Sequence, residues 1–255
     1  MKPLAELDAR DIRSLLFDLD ETLTSEGKLT ATAYAALEKL HAAGWRTIAV
    51  TGRPAGWCDH IARMWPVDAV VGENGAFYFF FAEGRLQKRF ADDAETRAAK
   101  RRRLDAIART ILAEVPGCAL ASDQGYRETD LAIDYCEDVP PLPLEAAERI
   151  AALMRGAGLT ARVSSIHVNG WFGEYDKLAM SRRLFRERFA AELDEKCAYV
   201  GDSPNDAPMF AFFLNSVGVA NVRRFAGRLG SEPKFVTQAA AGAGFAELVA
   251  HLLRS

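Results

Sequence analysis

An apolar stretch that runs straight into two aspartates limits most strongly what this chain can fold into. Leu15, Leu16 and Phe17 are typical of a buried strand, and Asp18 and Asp20 follow at once. Side chains alternate along a strand, so the two carboxylates share one face if the extended backbone continues through them. They repel each other unless a hard cation such as Mg²⁺ lies between them and an incoming anion. The alternative is that both are ordinary turn or cap residues after a strand.

After this strand, further apolar strand patterns alternate with helix patterns. The predicted elements are a helix at 30–44, a strand at 45–51, a helix at 54–65 and a strand at 67–71. This alternation predicts an α/β fold in which a parallel sheet is covered on both faces. In such sheets ligands bind at the carboxyl ends of the strands. Asp18, Thr51 and residues 72–75 all stand at strand ends of this kind.

The alternating pattern stops after residue 75 and resumes near residue 177. The intervening predicted elements are a hairpin at 76–90, a helix from about 93 to 115, a strand-like segment at 130–136, a helix at 144–156, and strands at 159–164 and 166–172. The later elements are a helix at 177–191, strands at 197–201, 216–220 and 234–236, and a helix at 244–253. Because the middle part has a different order, we predict a core in two parts, 1–82 and 173–255, with an inserted α/β cap at 83–172.

The composition indicates a globular protein without the overall positive charge that would attract polyanions. The 255 residues are 49% hydrophobic, and 32 basic residues stand against 35 acidic ones. This is ordinary globular composition, and with a net charge of −3 we expect neither nucleic acid nor a membrane as partner. The basic run at 100–103 lies inside the long predicted helix. A solvated helix face is the preferred interpretation of this run, and a nucleic-acid patch is the alternative.

The start of the chain and its cysteines indicate a reducing compartment. Residues 1–8 have neither the apolar run of a signal peptide nor the Arg-rich, acid-poor pattern of a transit peptide. The longest apolar run, 76–82, is too short to span a bilayer. The 4 cysteines have no C-x-x-C spacing, which favours buried thiols over disulfides or a zinc site. We therefore expect a cytoplasmic protein that is a monomer or a homodimer.

The polar groups at the strand ends form an ordered set. In chain order they are Asp18 and Asp20, Thr51, Lys177, and Asp202 with Asp206. The set resembles the four motifs of the haloacid dehalogenase (HAD) superfamily of phosphotransferases: D-x-D-x-T at a strand end, a Ser or Thr at another strand end, a Lys, and Gly-Asp-x-x-x-Asp. The resemblance covers nearly the whole chain. One departure is Glu21, since many members have Gly at this position.

The inserted unit lies between the second and third motifs, which resembles the type IIB branch of the superfamily. That branch includes Cof-like sugar phosphatases, sucrose-phosphate phosphatases, mannosyl-3-phosphoglycerate phosphatases and phosphomannomutases. The resemblance implies a Rossmann-like parallel sheet core with an inserted α/β type C2 cap. It also implies a Mg²⁺-dependent phosphatase that hydrolyses a phosphate monoester of a small metabolite, a sugar phosphate or a glycosyl-phosphoglycerate. The alternatives are a phosphomannomutase-like mutase and a non-catalytic sensor of sugar phosphates.

The resemblance assigns roles to the motif residues. Asp18 attacks phosphorus and forms an aspartyl-phosphate, which splits the hydrolysis into two easier steps. Asp20 protonates the leaving alcohol and later takes a proton from water; its alternative role is that of a metal ligand only. Thr51 and Lys177 hold the phosphoryl oxygens. The carboxylates of Asp18 and Asp202 and the backbone carbonyl of Asp20 are the expected Mg²⁺ ligands.

Asp206 completes the expected metal site, since together with Asn205 it would hold either the water molecules around the metal or Lys177. The substrate-binding candidates are Arg53, Asn74, His167 and Asn169. The last two belong to a cap segment whose polar groups could hold sugar hydroxyls. The alternative for His167 is that it only packs the cap sheet.

Overall fold

The structure is a computed structural model that describes residues 1–164 and 166–254. Strands and helices alternate through most of the chain. In chain order they are β1 (Lys2–Pro3), β2 (Ser14–Phe17), α1 (Ala31–Ala42), β3 (Arg46–Val50), α2 (Ala55–Met64), β4 (Ala69–Gly72), β5 (Phe77–Ala82), β6 (Arg85–Phe90), α3 (Ala94–Glu114), β7 (Ala119–Leu120), β8 (Leu131–Asp134), α4 (Leu144–Gly156), β9 (Thr160–Val163), β10 (His167–Trp171), α5 (Lys177–Phe189), β11 (Cys197–Gly201), α6 (Ala207–Phe212), β12 (Asn215–Gly218), β13 (Phe235–Val236) and α7 (Ala241–Leu252).

A large sheet forms the core of the first unit. Its strand order is β1-β13-β12-β11-β2-β3-β4-β5-β6. The pairs from β1 across to β4 are parallel, and β5 runs antiparallel to β4. All four residues of β2 are buried, as expected of a central strand that is covered on both faces. The predicted parallel α/β core is thus confirmed, and the carboxyl ends of β2, β3 and β11 lie side by side.

Apolar side chains from the central strands pack against the helices of the first unit. Leu16, Ile48 and Tyr199 belong to a buried cluster that includes Phe185 of α5. Phe17, the next residue after Leu16, makes an edge contact with Phe245 of α7 at 5.3 Å between ring centroids. Neighbouring strand residues therefore serve opposite layers, which explains why the strands read as continuous apolar runs.

The second unit has its own small sheet and its own core. The strand order is β7-β8-β10-β9, and these pairs are antiparallel. Leu104 and Ile111 of α3, Ile150 and Met154 of α4, and Val168 of β10 form its buried apolar cluster. This matches the predicted α/β insertion.

The two units divide the chain slightly differently from the predicted boundaries of 82/83 and 172/173. The first unit comprises 1–52, 58–89 and 176–255, and the second comprises 53–57 and 90–175. Residues 83–89 group with the first unit because β6 is hydrogen-bonded to β5 at the edge of the large sheet.

Several element ends also differ from the prediction. Helix α5 ends at Phe189, two residues early, because Ala190 takes a left-handed conformation with φ 49°. The two-residue strands β1 and β7 carry too few residues to show a periodic pattern, and the sequence did not indicate them. Ser165, between two predicted strands, lies outside the described residues. Within the described ranges, no helix is both long and apolar enough to cross a membrane.

A tight turn after β4 brings the backbone against the start of α5. Glu73, Asn74 and Gly75 all have positive φ, at 43°, 57° and 107°. A Cβ atom at Gly75 would lie 2.1 Å from the backbone oxygen of Asp176. Asp176 caps α5, because its carboxylate accepts a hydrogen bond from the backbone N–H of Ala179 at 2.7 Å. The turn therefore needs glycine both for its conformation and for this close approach.

We expect Gly75→Ala to destabilise the protein more than Gly84→Ala. Both glycines have positive φ, but a Cβ at Gly84 would meet nothing within 4 Å. Both variants therefore share the backbone strain, and only Gly75→Ala adds a clash with backbone atoms, which costs about 2 kcal/mol in addition. Urea unfolding of both variants measures this difference. Equal losses would show that the contact at Asp176 relaxes freely.

Candidate functional site

The strand ends of the first unit and the start of α5 bring four of the predicted residues together: Asp18, Lys177, Asp202 and Asp206. Asp18 follows β2, and its backbone N–H donates to the carbonyl of Val200 in β11 at 3.0 Å. Lys177 is the first residue of α5 and is buried. Its Nζ lies 2.8 Å from Oδ1 of Asp18 and 2.9 Å from Oδ1 of Asp206. One ammonium group thus bridges two carboxylates that are far apart in sequence.

Both oxygens of the Asp206 carboxylate are occupied. Oδ1 accepts hydrogen bonds from Lys177 and from the Tyr199 hydroxyl, which lies at 2.5 Å. Oδ2 accepts from the backbone N–H groups of Asp202 and Ser203, at 3.0 and 3.3 Å. A Cβ atom at Gly201 would lie 2.5 Å from Oδ2, so glycine leaves room for this carboxylate. These contacts favour the predicted role of Asp206 as the group that holds Lys177.

A cluster of three buried aspartates offers oxygen ligands for a cation. Carboxylate oxygens of Asp18, Asp202 and Asp206 all lie within 4.8 Å of one another. An all-oxygen donor set suits a hard cation such as Mg²⁺. Because Asp206 already accepts four hydrogen bonds, Asp18 and Asp202 are the better candidates for direct ligands. Asp20 lies in the turn after β2 and is half-buried.

The electrostatics of the cluster indicate unbalanced negative charge. Burial raises the pKa of Asp18 well above its usual range, although Lys177 opposes the shift. Burial and then the Asp206 carboxylate raise the pKa of Asp202 to about 7. Burial alone would lower the pKa of Lys177, but the carboxylates of Asp18 and Asp206 raise it above its ordinary value. Lys177 therefore stays charged, and the aspartates still need more positive charge, as a cation site would.

Asp202 is held by several groups, of which the sequence indicated only Thr22, the last residue of the D-x-D-x-T motif. The Asn221 amide donates to Oδ2 of Asp202 at 3.0 Å and to the backbone carbonyl of Glu21 at 2.9 Å. Arg224 lies 3.3 Å from the same Asp202 oxygen, and the Thr22 hydroxyl lies 3.5 Å from Oδ1. Asn221 comes soon after β12, and this position beyond the end of a strand could have indicated it as a site residue. Tyr199 lies inside an apolar strand and gave no signal.

Glu21, the departure from the family motif, adopts a conformation that glycine favours. Its φ is 57°, in the left-handed region. In this conformation the Glu21 backbone carbonyl accepts a hydrogen bond from the Asn221 amide. The left-handed conformation thus explains why glycine suits this position.

Thr51 and Asn74, two further predicted residues, lie close together at neighbouring strand ends. Thr51 is fully buried after β3, and its carbonyl accepts from the backbone N–H of Asn74 at 3.1 Å. A Cβ at Gly52 would lie 3.1 Å from the Asn74 side-chain oxygen. The Arg53 guanidinium stacks over the Trp57 ring at 4.5 Å.

The remaining candidates lie inside the second unit in a buried polar network. The Asn169 amide donates to Asp130 at 3.1 Å, and Asp130 also pairs with Arg127 at 3.0 Å. Nε2 of His167 lies 2.8 Å from the Glu137 carboxylate. Burial lowers the pKa of His167, which Glu137 opposes. Substrate contact by these residues stays a prediction.

Comparisons with known proteins agree with this fold. Residues 15–98 match the family model of the haloacid dehalogenase-like hydrolases. No curated protein sequence matches the chain. The predicted haloacid dehalogenase resemblance is confirmed in two respects: residues 15–98 match this family of hydrolases, and solved structures of such hydrolases share the fold.

Three solved structures share the fold over almost their whole length. A Thermoplasma acidophilum protein has a TM-score of 0.73 at 18% identity, over 96% of this chain and 99% of that one. The sucrose-phosphatase of Synechocystis, with sucrose and phosphate, has a TM-score of 0.67 at 16% identity, over 95% and 98%. A HAD subclass IIB sugar phosphatase has a TM-score of 0.64 at 15% identity, over 94% and 98%. At these identities the likeness shows the fold.

We expect Asp202→Asn to stabilise the metal-free protein increasingly as the pH rises. The raised pKa means that the folded protein holds a proton on Asp202 up to about pH 7, whereas the unfolded chain releases it near the ordinary carboxyl pKa of 3.8. The unfolding free energy of the wild type therefore falls between these values, by at most about 1.4 kcal/mol per pH unit. The variant lacks this loss.

Thermal unfolding of the wild type and of Asp202→Asn in EDTA at pH 5 and pH 8 measures the effect. A second set of measurements is made with added Mg²⁺. Mg²⁺ should stabilise the wild type at pH 8 and the variant much less. A difference between the two proteins that does not depend on pH would contradict the raised pKa of Asp202.

Proposed function

We propose that this protein is a Mg²⁺-dependent phosphatase of a small metabolite, with a sugar phosphate as the preferred substrate class. The observation that carries the proposal is the bridge from Lys177 to Asp18 and Asp206 beside a buried acidic cluster. A phosphate monoester dianion repels nucleophiles, so its enzymes work mainly by positioning and charge neutralisation. The named substrates of the sucrose-phosphatase and the subclass IIB sugar phosphatase support the choice of sugars; a glycosyl-phosphoglycerate is the second candidate.

In the proposed first step, a carboxylate oxygen of Asp18 attacks phosphorus. An aspartyl-phosphate forms, the bond from phosphorus to the alcohol oxygen breaks, and Asp20 gives the alcohol a proton. Thr51 and Lys177 hold the phosphoryl oxygens. In the second step water attacks the aspartyl-phosphate, Asp20 takes a proton from this water, and phosphate leaves.

The residues of the acidic cluster would hold Mg²⁺ through Asp18 and Asp202, with the carbonyl of Asp20 as a further ligand. When bound, the cation neutralises the charge of the attacking and transferring oxygens. Asp206 keeps Lys177 beside Asp18 in both steps. We further propose that the protein is cytoplasmic, which is supported by the four cysteines Cys58, Cys118, Cys136 and Cys197 being present as thiols rather than disulfides. We also propose that it is a monomer or a homodimer.

A panel of sugar monophosphates assayed with Mg²⁺ for released phosphate tests the proposal. The phosphatase releases phosphate, and EDTA stops the release. Isomer formation without phosphate release would identify a mutase instead. Binding without either reaction would identify a sensor.

We expect Asp18→Asn to lower phosphate release by at least about a thousandfold, because it removes the nucleophile and a metal ligand together. Asp8→Asn, which changes an exposed carboxylate that pairs with Arg10, is the control and should retain activity. Circular dichroism establishes that both variants are folded. Appreciable turnover by folded Asp18→Asn would rule out the covalent route.

We expect Asp20→Asn to slow poor leaving groups more than good ones. A sugar alkoxide needs a proton as it departs, so its release should slow by about a hundredfold or more. A nitrophenolate leaves without help, and hydrolysis of its phosphate ester should slow much less. The ratio of the two rates in variant and wild type is the measurement. Equal slowing would show that Asp20 is not the acid.

A further inference from the structure

The Tyr199 hydroxyl occupies an unusual place for a core aromatic group. Tyr199 lies in β11 and is fully buried. Its ring stacks on Phe213 at 5.7 Å and makes an edge contact with Phe210 at 5.9 Å. Its hydroxyl reaches Oδ1 of Asp206 at 2.5 Å, the same oxygen that accepts from Lys177. The ring thus belongs to the apolar core, whereas the hydroxyl belongs to the site.

Packing alone does not explain this hydroxyl. A phenylalanine would make the same ring contacts, and a buried hydroxyl costs free energy unless it is hydrogen-bonded. The bond to Asp206 is a charge-assisted one, in which the phenol donates to a carboxylate. The hydroxyl therefore acts by stabilising the Asp206 carboxylate.

The shared oxygen couples Tyr199 to the ammonium of Lys177. Oδ2 of Asp206 is held by two backbone N–H groups, so Oδ1 is the side that faces Lys177. With this hydrogen bond in place, Tyr199 supplies part of the stabilisation of the Asp206 charge. The Lys177 ammonium can then also donate a hydrogen bond to Oδ1 of Asp18 at 2.8 Å. Without the phenol, the buried charge of Asp206 would depend on Lys177 alone at Oδ1 and would draw the ammonium away from Asp18.

We propose that Tyr199 is a positioning residue that keeps Lys177 divided between Asp18 and Asp206. Its kinetic consequence rests on the proposed phosphatase function. Lys177 acts on the phosphoryl oxygens and not on the leaving alcohol, so loss of the hydroxyl lowers the rate equally for good and poor leaving groups. This signature differs from that of a proton donor to the leaving group.

The chain offers a matched control at Tyr78. This tyrosine is also buried in the core of the first unit, and its hydroxyl donates to the Glu187 carboxylate at 2.6 Å. Glu187 also pairs with Arg183 at 2.7 Å, and among the described residues it contacts none of Asp18, Lys177 and Asp206. Tyr78→Phe therefore removes a phenol–carboxylate hydrogen bond of similar length, at a more exposed carboxylate, without touching the site.

The experiment compares Tyr199→Phe with Tyr78→Phe and the wild type. We expect Tyr199→Phe to lower kcat about tenfold, equivalent to about 1.4 kcal/mol, with KM changed less than about twofold. The decrease should be the same for a sugar phosphate and a nitrophenyl phosphate. Tyr78→Phe should leave kcat unchanged although it too removes a phenol–carboxylate hydrogen bond of the core.

A crystal structure of Tyr199→Phe provides a readout that does not depend on activity. We expect the distance from Lys177 Nζ to Asp18 Oδ1 to exceed the wild-type value. Unchanged kcat together with an unchanged Lys177 position would overturn the proposal, and so would failure of Tyr199→Phe to fold when Tyr78→Phe folds. A wild type that releases no phosphate from any substrate would refute the phosphatase function, and the Lys177 position would still decide the role of Tyr199.

Discussion

The burial of one lysine among carboxylates is the interaction on which the rest of the site depends. A buried ammonium group costs several kcal/mol unless opposite charges surround it with good geometry. Lys177 meets this requirement only because Asp18, at the end of β2, and Asp206, after β11, reach it from two strand ends. The same carboxylates would be unstable together without Lys177. The charges therefore hold the end of β2, the start of α5 and the turn after β11 in one arrangement.

Close approaches of the backbone make this arrangement possible. The turn after β4 leaves no room for a side chain at Gly75, where it touches Asp176 just before Lys177. Gly201 likewise leaves room for the Asp206 carboxylate, which two backbone N–H groups then hold. Asn221 ties Asp202 to the backbone of Glu21. Small residues and local hydrogen bonds thus set the positions of the charged groups, and the charged groups alone could not do so.

Much of the fold was predictable because its central strands carry a strong local signal. Strands such as β2 and β11 are buried on both faces, so their apolar runs are continuous, and helix α1 begins after a recognisable cap at Thr30. The signal fails where contacts are few or distant. Two-residue strands such as β1 are defined only by their partner, and the place where β6 belongs depends on its bonds to β5 rather than on its own residues.

The sequence by itself determined which chemical groups stand at the strand ends, Asp18, Thr51, Asp202 and Asp206, and that Lys177 begins a helix; these follow from the element pattern and the motif order. Only the tertiary structure decided how these groups share their partners. It showed that both oxygens of Asp206 accept hydrogen bonds and that Tyr199 and Lys177 donate to the same one. The physical reason is that strand periodicity is local, whereas a side-chain hydrogen bond depends on the distance and direction between residues that only folding brings together.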